Sequence, residues 1–156
     1  MVAEQAVLEE QVLTDEELQE QVYHMLNHVY PPFRELLLPI EVEVKDGVVT
    51  LTGWVRTSTM KHMATKLAAE VPGVKEVHNC LVADDELERA VAAALEAEPS
   101  LEDDFPGIHV DALAGAITLW GYVSSEEDKR RAEEIAAQVD GVRKVINDLK
   151  VREPMN

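Results

Sequence analysis

The sequence predicts an α+β protein built of two tandem αββαβ modules, each a three-stranded sheet with two helices on one face. Two observations predict it: an internal repeat that runs without gaps from the first strand of each copy onward, and helical and strand periodicities that follow one another in the same order in each copy. Gly47, Gly53 and Gly73 recur as Gly115, Gly121 and Gly141, each displaced by 68 positions. Val42, Thr50, Leu51, Val55, Lys61, Ala64, Ala68, Val71, Val74, Val77, Asn79 and Leu81 recur at the same displacement. Composition alone does not produce so many identities in one register. The helix ahead of them repeats at a displacement of 69, Leu18, Val22 and Leu26 being answered by Leu87, Val91 and Leu95. The helix-to-strand loop of the first copy is therefore read as one residue longer. The copies are placed at 15–83 and 84–153, behind an N-terminal leader at 1–14 and with Asp84-Asp85-Glu86 at the junction.

Within the first copy, Leu18, Val22, Met25, Leu26 and Val29 share one helical stripe, opened by the capping-box pattern Thr14-x-x-Glu17. After Pro31, Pro32 and Pro39, the apolar Ile40, Val42 and Val44 alternate with Glu41, Glu43 and Lys45, the period of a strand with one buried face. Asp46-Gly47 then marks a tight hairpin turn into a second strand through Val49, Leu51, Gly53 and Val55. A second helix from about Ser58 to Val71 carries Met60, Ala64, Leu67, Ala68 and Val71, and ends before Pro72-Gly73. Val77, Asn79 and Leu81 alternate as a third strand. The second copy repeats this order, with Ser124-x-x-Glu127 read as the cap of its second helix.

The six repeated glycines are read as architectural: Gly47 and Gly115 for the hairpin turn, Gly73 and Gly141 for the helix exit, Gly53 and Gly121 for close approach of a helix to the sheet. In the leader, Val2, Val7, Leu8, Val12 and Leu13 fit either an extra helix or a disordered segment.

Composition excludes whole function classes. Thirty-one acidic residues against fourteen basic ones give a net charge of -17, which repels phosphate backbones and removes the counterion release that drives nucleic-acid binding. The same charge opposes anionic bilayers, and the one dense basic cluster is Lys129, Arg130 and Arg131 with Arg143 and Lys144. The single cysteine, Cys80, excludes an internal disulfide and a cysteine-based metal site. No apolar run approaches the ~20 residues of a membrane span. The start has no basic segment followed by an apolar one, so a cytoplasmic location is expected, with the periplasm as the alternative for a processed form.

Val42-x-Val44-x-x-Gly47-x-Val49-x-Leu51-x-Gly53-x-Val55, with Gly73-Val74-x-x-Val77-x-Asn79-x-Leu81, resembles the signature of the BON domain. The second copy carries it as Val110, Ala112, Gly115, Ile117, Leu119, Gly121, Val123, Gly141, Val142, Val145, Asn147 and Leu149. The resemblance spans the chain apart from the leader. It implies an αββαβ fold, frequent as tandem pairs in bacterial osmotic-stress, nodulation-type and envelope proteins, and an association with phospholipid surfaces. Other settings it implies are secretins, mechanosensitive channels, haemolysin-like proteins and a cytoplasmic potassium-binding protein. It implies no catalytic residue set and no cofactor.

The candidate site follows from strand register. If Val49, Leu51 and Val55 face the helices, then Trp54, and in the second copy Trp120 and Tyr122, lie on the helix-free face of the sheet. Exposed aromatics there are read as packing against the other copy or a second chain, as a contact for an external partner or lipid, or as having no special role. His24 and His28 stand four apart on helix one, but nothing near in sequence completes a metal site. His62 points off its helix stripe. His78 and Cys80 are parallel neighbours on a strand with no orienting third group, so a nucleophile pair is rejected. The acidic stretches sit mostly at helix starts; Glu102-Asp103-Asp104 is placed in a loop, as a weak cation site at most. The expected function is a non-catalytic binding or scaffold protein acting on a phospholipid surface or a protein partner, with a homodimer as one arrangement it allows. The alternative is a sensor of a potassium-type cation or small ligand.

Overall fold

Thr14 opens the first helix as its sequence pattern requires. Its side chain accepts the Glu17 N–H at 3.2 Å, and the Glu17 carboxylate returns to the Thr14 N–H. This computed structural model describes residues 12–105 and 107–152, so the leader reading lies almost wholly outside the described residues. The described chain forms two units, which part between Leu81 and Val82, with Arg56–Ser58 grouped with the second.

In the first unit, helix α1 (Asp15–His24) buries Leu18 and Val22, then widens into a π-turn over Met25–Val29. A short helix α2 (Pro31–Arg34) leads to strand β1 (Glu41–Lys45). Leu26 answers Leu95 at a displacement of 69, whereas buried Phe33 answers buried Leu101 at 68. The extra residue of the first copy therefore falls between Leu26 and Phe33, where the helix widens, and not in the loop beyond. A π-turn is how a helix takes up one additional residue. Asn27 in that turn is buried and clamps the start of β1: its Nδ2 donates to the Ile40 carbonyl and its Oδ1 accepts the Ile40 N–H, both at 2.9 Å.

β1 pairs antiparallel with β2 (Val48–Val55), setting Val42 against Leu51 and Val44 against Val49 on the buried face. Asp46 and Gly47 both take positive φ, 52° and 81°, as a two-residue primed turn demands. Helix α3 (Ser58–Ala69) and strand β3 (Glu76–Ala83) complete the unit, whose sheet order is β1-β2-β3.

The second unit repeats this with α4 (Asp84–Glu96), a 3₁₀ turn over Pro99–Asp104, β4 (Ile108–Leu113), β5 (Ala116–Val123), α5 (Glu126–Ala137) and β6 (Lys144–Val151). β4 runs antiparallel and β6 parallel to β5. Leu87, Val91, Leu95, Leu101, Ile117, Leu119, Val123, Ala132, Ala136 and Leu149 form its core. Each buried Leu or Val there contributes ~1.5–3 kcal/mol by leaving water.

Three further expectations need correction. The cap of α5 is Ser125, which accepts the Asp128 N–H at 3.1 Å, because the Ser124 hydroxyl is already committed to Asp104 at 2.7 Å. Glu102-Asp103-Asp104 belongs to the 3₁₀ turn rather than to an open loop. Gly121 makes room for backbone and not for a helix: a Cβ there would run into the Gly107 carbonyl, which accepts the Tyr122 N–H at 3.0 Å. At Gly53 the nearest atoms are likewise backbone, the Pro39 carbonyl and Ile40 Cα at 3.6 Å.

Candidate binding face

In both units an aspartate at the first position of a helix holds the hairpin turn. Asp15 accepts the N–H groups of Asp46 and Gly47 at 2.8 and 3.0 Å; Asp84 accepts those of Ala114 and Gly115 at 2.8 and 3.0 Å. A primed turn aims two adjacent N–H groups the same way, and one carboxylate satisfies both. In the sequence these acids read as helix-dipole partners only. Their common displacement of 69 was the available signal. The repeated asparagines are also structural: Asn79 and Asn147 donate to the carbonyls of Lys61 and Lys129, at 2.7 and 2.8 Å, tying the third strand of each unit to its second helix.

With turn and third strand fixed, the pleat decides what each sheet shows to solvent. In the second unit the cross-strand partners His109, Trp120 and Asp148 form one row, and Tyr122 stands beside Lys150 in the next. Trp120 is 45% exposed and Tyr122 52%. The Trp120 ring stacks on His109, with centroids 4.2 Å apart and planes 20° from parallel, and its Nε1 donates to Asp111 at 2.9 Å. The indole is thus pinned with part of its surface open, which lowers the entropy lost when something docks on it. Leu113 and Ile146 add exposed apolar surface on the same face. A shallow depression of about 770 Å³ runs beside the aromatics, lined by Gly107, His109, Trp120, Tyr122, Asp148 and Lys150 among others.

The first unit presents a different surface. Its outward residues include Glu41, Glu43, Thr50 and Thr52, and Trp54 is only half-buried to half-exposed there. Trp54 corresponds in the repeat to Tyr122, while the counterpart of Trp120 is Thr52. Of the three aromatics singled out from sequence, the fold places Trp120 and Tyr122 side by side, and Trp54 in the other unit.

The remaining candidates carry less. His24 and His28 are exposed with ring centroids 5.3 Å apart. His78 lies 3.2 Å from Glu76, and Cys80 is exposed. The basic cluster is not a free patch, since Arg131 is held between Glu98 and Glu134 at 3.3 Å each and the Arg143 Nε donates to the Ala114 carbonyl. Among the described residues no group of three or more His, Cys, Asp or Glu could hold a metal ion, and no helix is long and apolar enough to cross a membrane.

Comparison with known proteins agrees with the repeat. Residues 14–82 and 83–153 each match the BON domain. The chain is 35% identical over 124 residues to the osmotically-inducible protein Y of Escherichia coli (strain K12), an alignment covering 72% of this chain and 62% of that protein. It therefore spans less than two thirds of that relative's length. Among solved structures it is similar to CdsD, a structural protein of the type III secretion system of Chlamydia trachomatis, with a TM-score of 0.69 and 20% identity over 90% of this chain and 66% of the other. The C-terminal domain of CdsD gives a TM-score of 0.70 at 19% identity, over 90% of this chain and 68% of that one. At these identities the likeness is one of fold alone.

Proposed function

Because this chain belongs to the BON-domain family, with two such domains in tandem, we propose that it is a non-catalytic, stress-related binding protein whose second domain docks on a phospholipid surface through its helix-free sheet face. The observation that carries this reading is the pair of exposed aromatics Trp120 and Tyr122 on an open, pinned strand surface. Trp and Tyr suit the bilayer interface because one end of each is apolar and the other hydrogen-bonds to water or headgroup. The charges around them, Lys144 and Lys150 against Asp111 and Asp148, balance. With the whole chain at -17, zwitterionic lipid is favoured over anionic lipid. BON domains are associated with phospholipid binding, which points the same way.

The test uses Trp54→Phe, which leaves Trp120 as the only tryptophan. Vesicles of zwitterionic phospholipid should blue-shift its emission and protect it from aqueous quenchers. An unchanged spectrum at saturating lipid would remove the lipid reading.

A further inference from the structure

We propose that Asp104 and Asp128 of the second domain share a single proton, and that this pair is a titratable latch fastening the Pro99–Asp104 turn to the start of α5. Asp104 is 1% exposed. Its Oδ1 accepts both the N–H and the O–H of Ser124, at 2.9 and 2.7 Å, while among the described residues no fixed N–H or O–H donor reaches the buried Oδ2. A carboxylate oxygen buried without a donor carries the full cost of its lost hydration. The group beside it is Asp128, in the first turn of α5. Burial raises the Asp128 carboxyl above the usual range, followed by its hydrogen bond to and repulsion from Asp104; the Ser125 hydroxyl opposes this and Glu127 adds to it. Two ionised carboxylates have no proton to donate to one another, so Oδ2 stays orphaned while both are charged. One proton held between them supplies the missing donor and cancels the repulsion.

The other charges around Asp128 do not supply that donor. Glu127, Arg130, Arg131 and Glu134 come from α5 and Glu98 from the turn after α4. Arg131 is already engaged by Glu98 and Glu134, and the Arg152 guanidinium lies against Gly107. The device is specific to the second domain, since Leu36 and Met60 occupy the corresponding positions of the first. It also has somewhere to act. The Asp104 carbonyl accepts the Gly107 N–H at 2.7 Å, and the Gly107 carbonyl accepts the Tyr122 N–H, so the latch holds the rim of the aromatic depression. The pair stands whether or not that face takes up lipid.

The sign follows from the raised carboxyl. Folding favours the proton-bound form, so the stabilisation is complete below the unfolded-state value, roughly 3.9 for aspartate, and is lost as the pH rises through the raised value. The test is the melting temperature of the full chain between about pH 7 and about pH 4.5, with Asp128→Asn alongside, and a ¹³C carboxyl NMR titration of the unaltered protein. The wild type should gain stability on acidification relative to Asp128→Asn. The variant, whose amide donates to Oδ2 at every pH, should already melt higher near neutrality, and the Asp128 carboxyl should titrate above the ordinary aspartate range. Parallel melting profiles, or an Asp128 carboxyl titrating in or below that range, would overturn the proposal. So would a cation-specific rise in melting temperature with Asp128 still ionised, which would assign Oδ2 to a metal. If Asp128→Asn fails to fold, the NMR titration alone decides.

Discussion

Ala114 sits in the hairpin turn of the second domain at φ 50°, where Asp46 stands in the first domain at 52°. A residue with a Cβ is strained there by roughly 1–2 kcal/mol, and glycine is not. Against the entropy that glycine costs, Ala114→Gly should stabilise the protein by about 0.5–1 kcal/mol, read as a higher urea midpoint. Asp84, which is 5% exposed, is the opposite case. Asp84→Ala strands two buried N–H groups and should cost about 3 kcal/mol in the same assay, more than Asp15→Ala at the more exposed turn of the first domain. Residue-level features were legible where both partners lie within a few positions, as with the Thr14 box and the Asp46-Gly47 turn. Asp84 reaches 30 positions ahead and Asp104 20, and nothing local announces either contact. The misplaced cap at Ser124 has that cause: its hydroxyl is claimed by a group outside any local window.

The succession of strands, the two helices and the hairpin turns could be read because their periodicities and breakers lie within each element. The close approaches could not. Gly53 and Gly121 were both legible as positions needing room, but what fills the room comes from the segment before the first strand of each unit. The two sites should respond unequally to a methyl group. Gly121→Ala meets the Gly107 carbonyl as well as an unfavourable φ of 115°, and should cost about 3 kcal/mol or more. Gly53→Ala meets no atom closer than 3.6 Å and should cost about 1–2 kcal/mol, the backbone penalty alone, by chemical denaturation. The π-turn shows the same limit: the change of displacement from 69 to 68 revealed one extra residue, and only the buried counterparts Leu26 and Phe33 bracket where it went.

At the scale of the whole chain, a charge of -17 governs which surfaces it can approach. Repulsion from an anionic bilayer is screened as the Debye length shrinks from about 10 Å at 0.1 M salt to about 3 Å at 1 M. Any binding to anionic vesicles should therefore strengthen with salt, the reverse of a basic peripheral protein, and co-sedimentation across a salt series reads this directly. The family and the repeat were legible in the sequence because they rest on identities distributed along the chain. The asymmetry between the domains was legible only in part: Thr52 opposite Trp120 in the repeat marks it, but the stacking on His109 that pins the indole is a cross-strand contact. The sheet face of the second domain is the proposed binding surface of this protein. Flotation with zwitterionic phospholipid vesicles tests it most directly, comparing the wild type with Trp120→Ala, Tyr122→Ala and with Trp54→Ala. The wild type and Trp54→Ala should float, and the double variant, still folded, should stay at the bottom of the gradient. Equal flotation of all three, or of none, would contradict it.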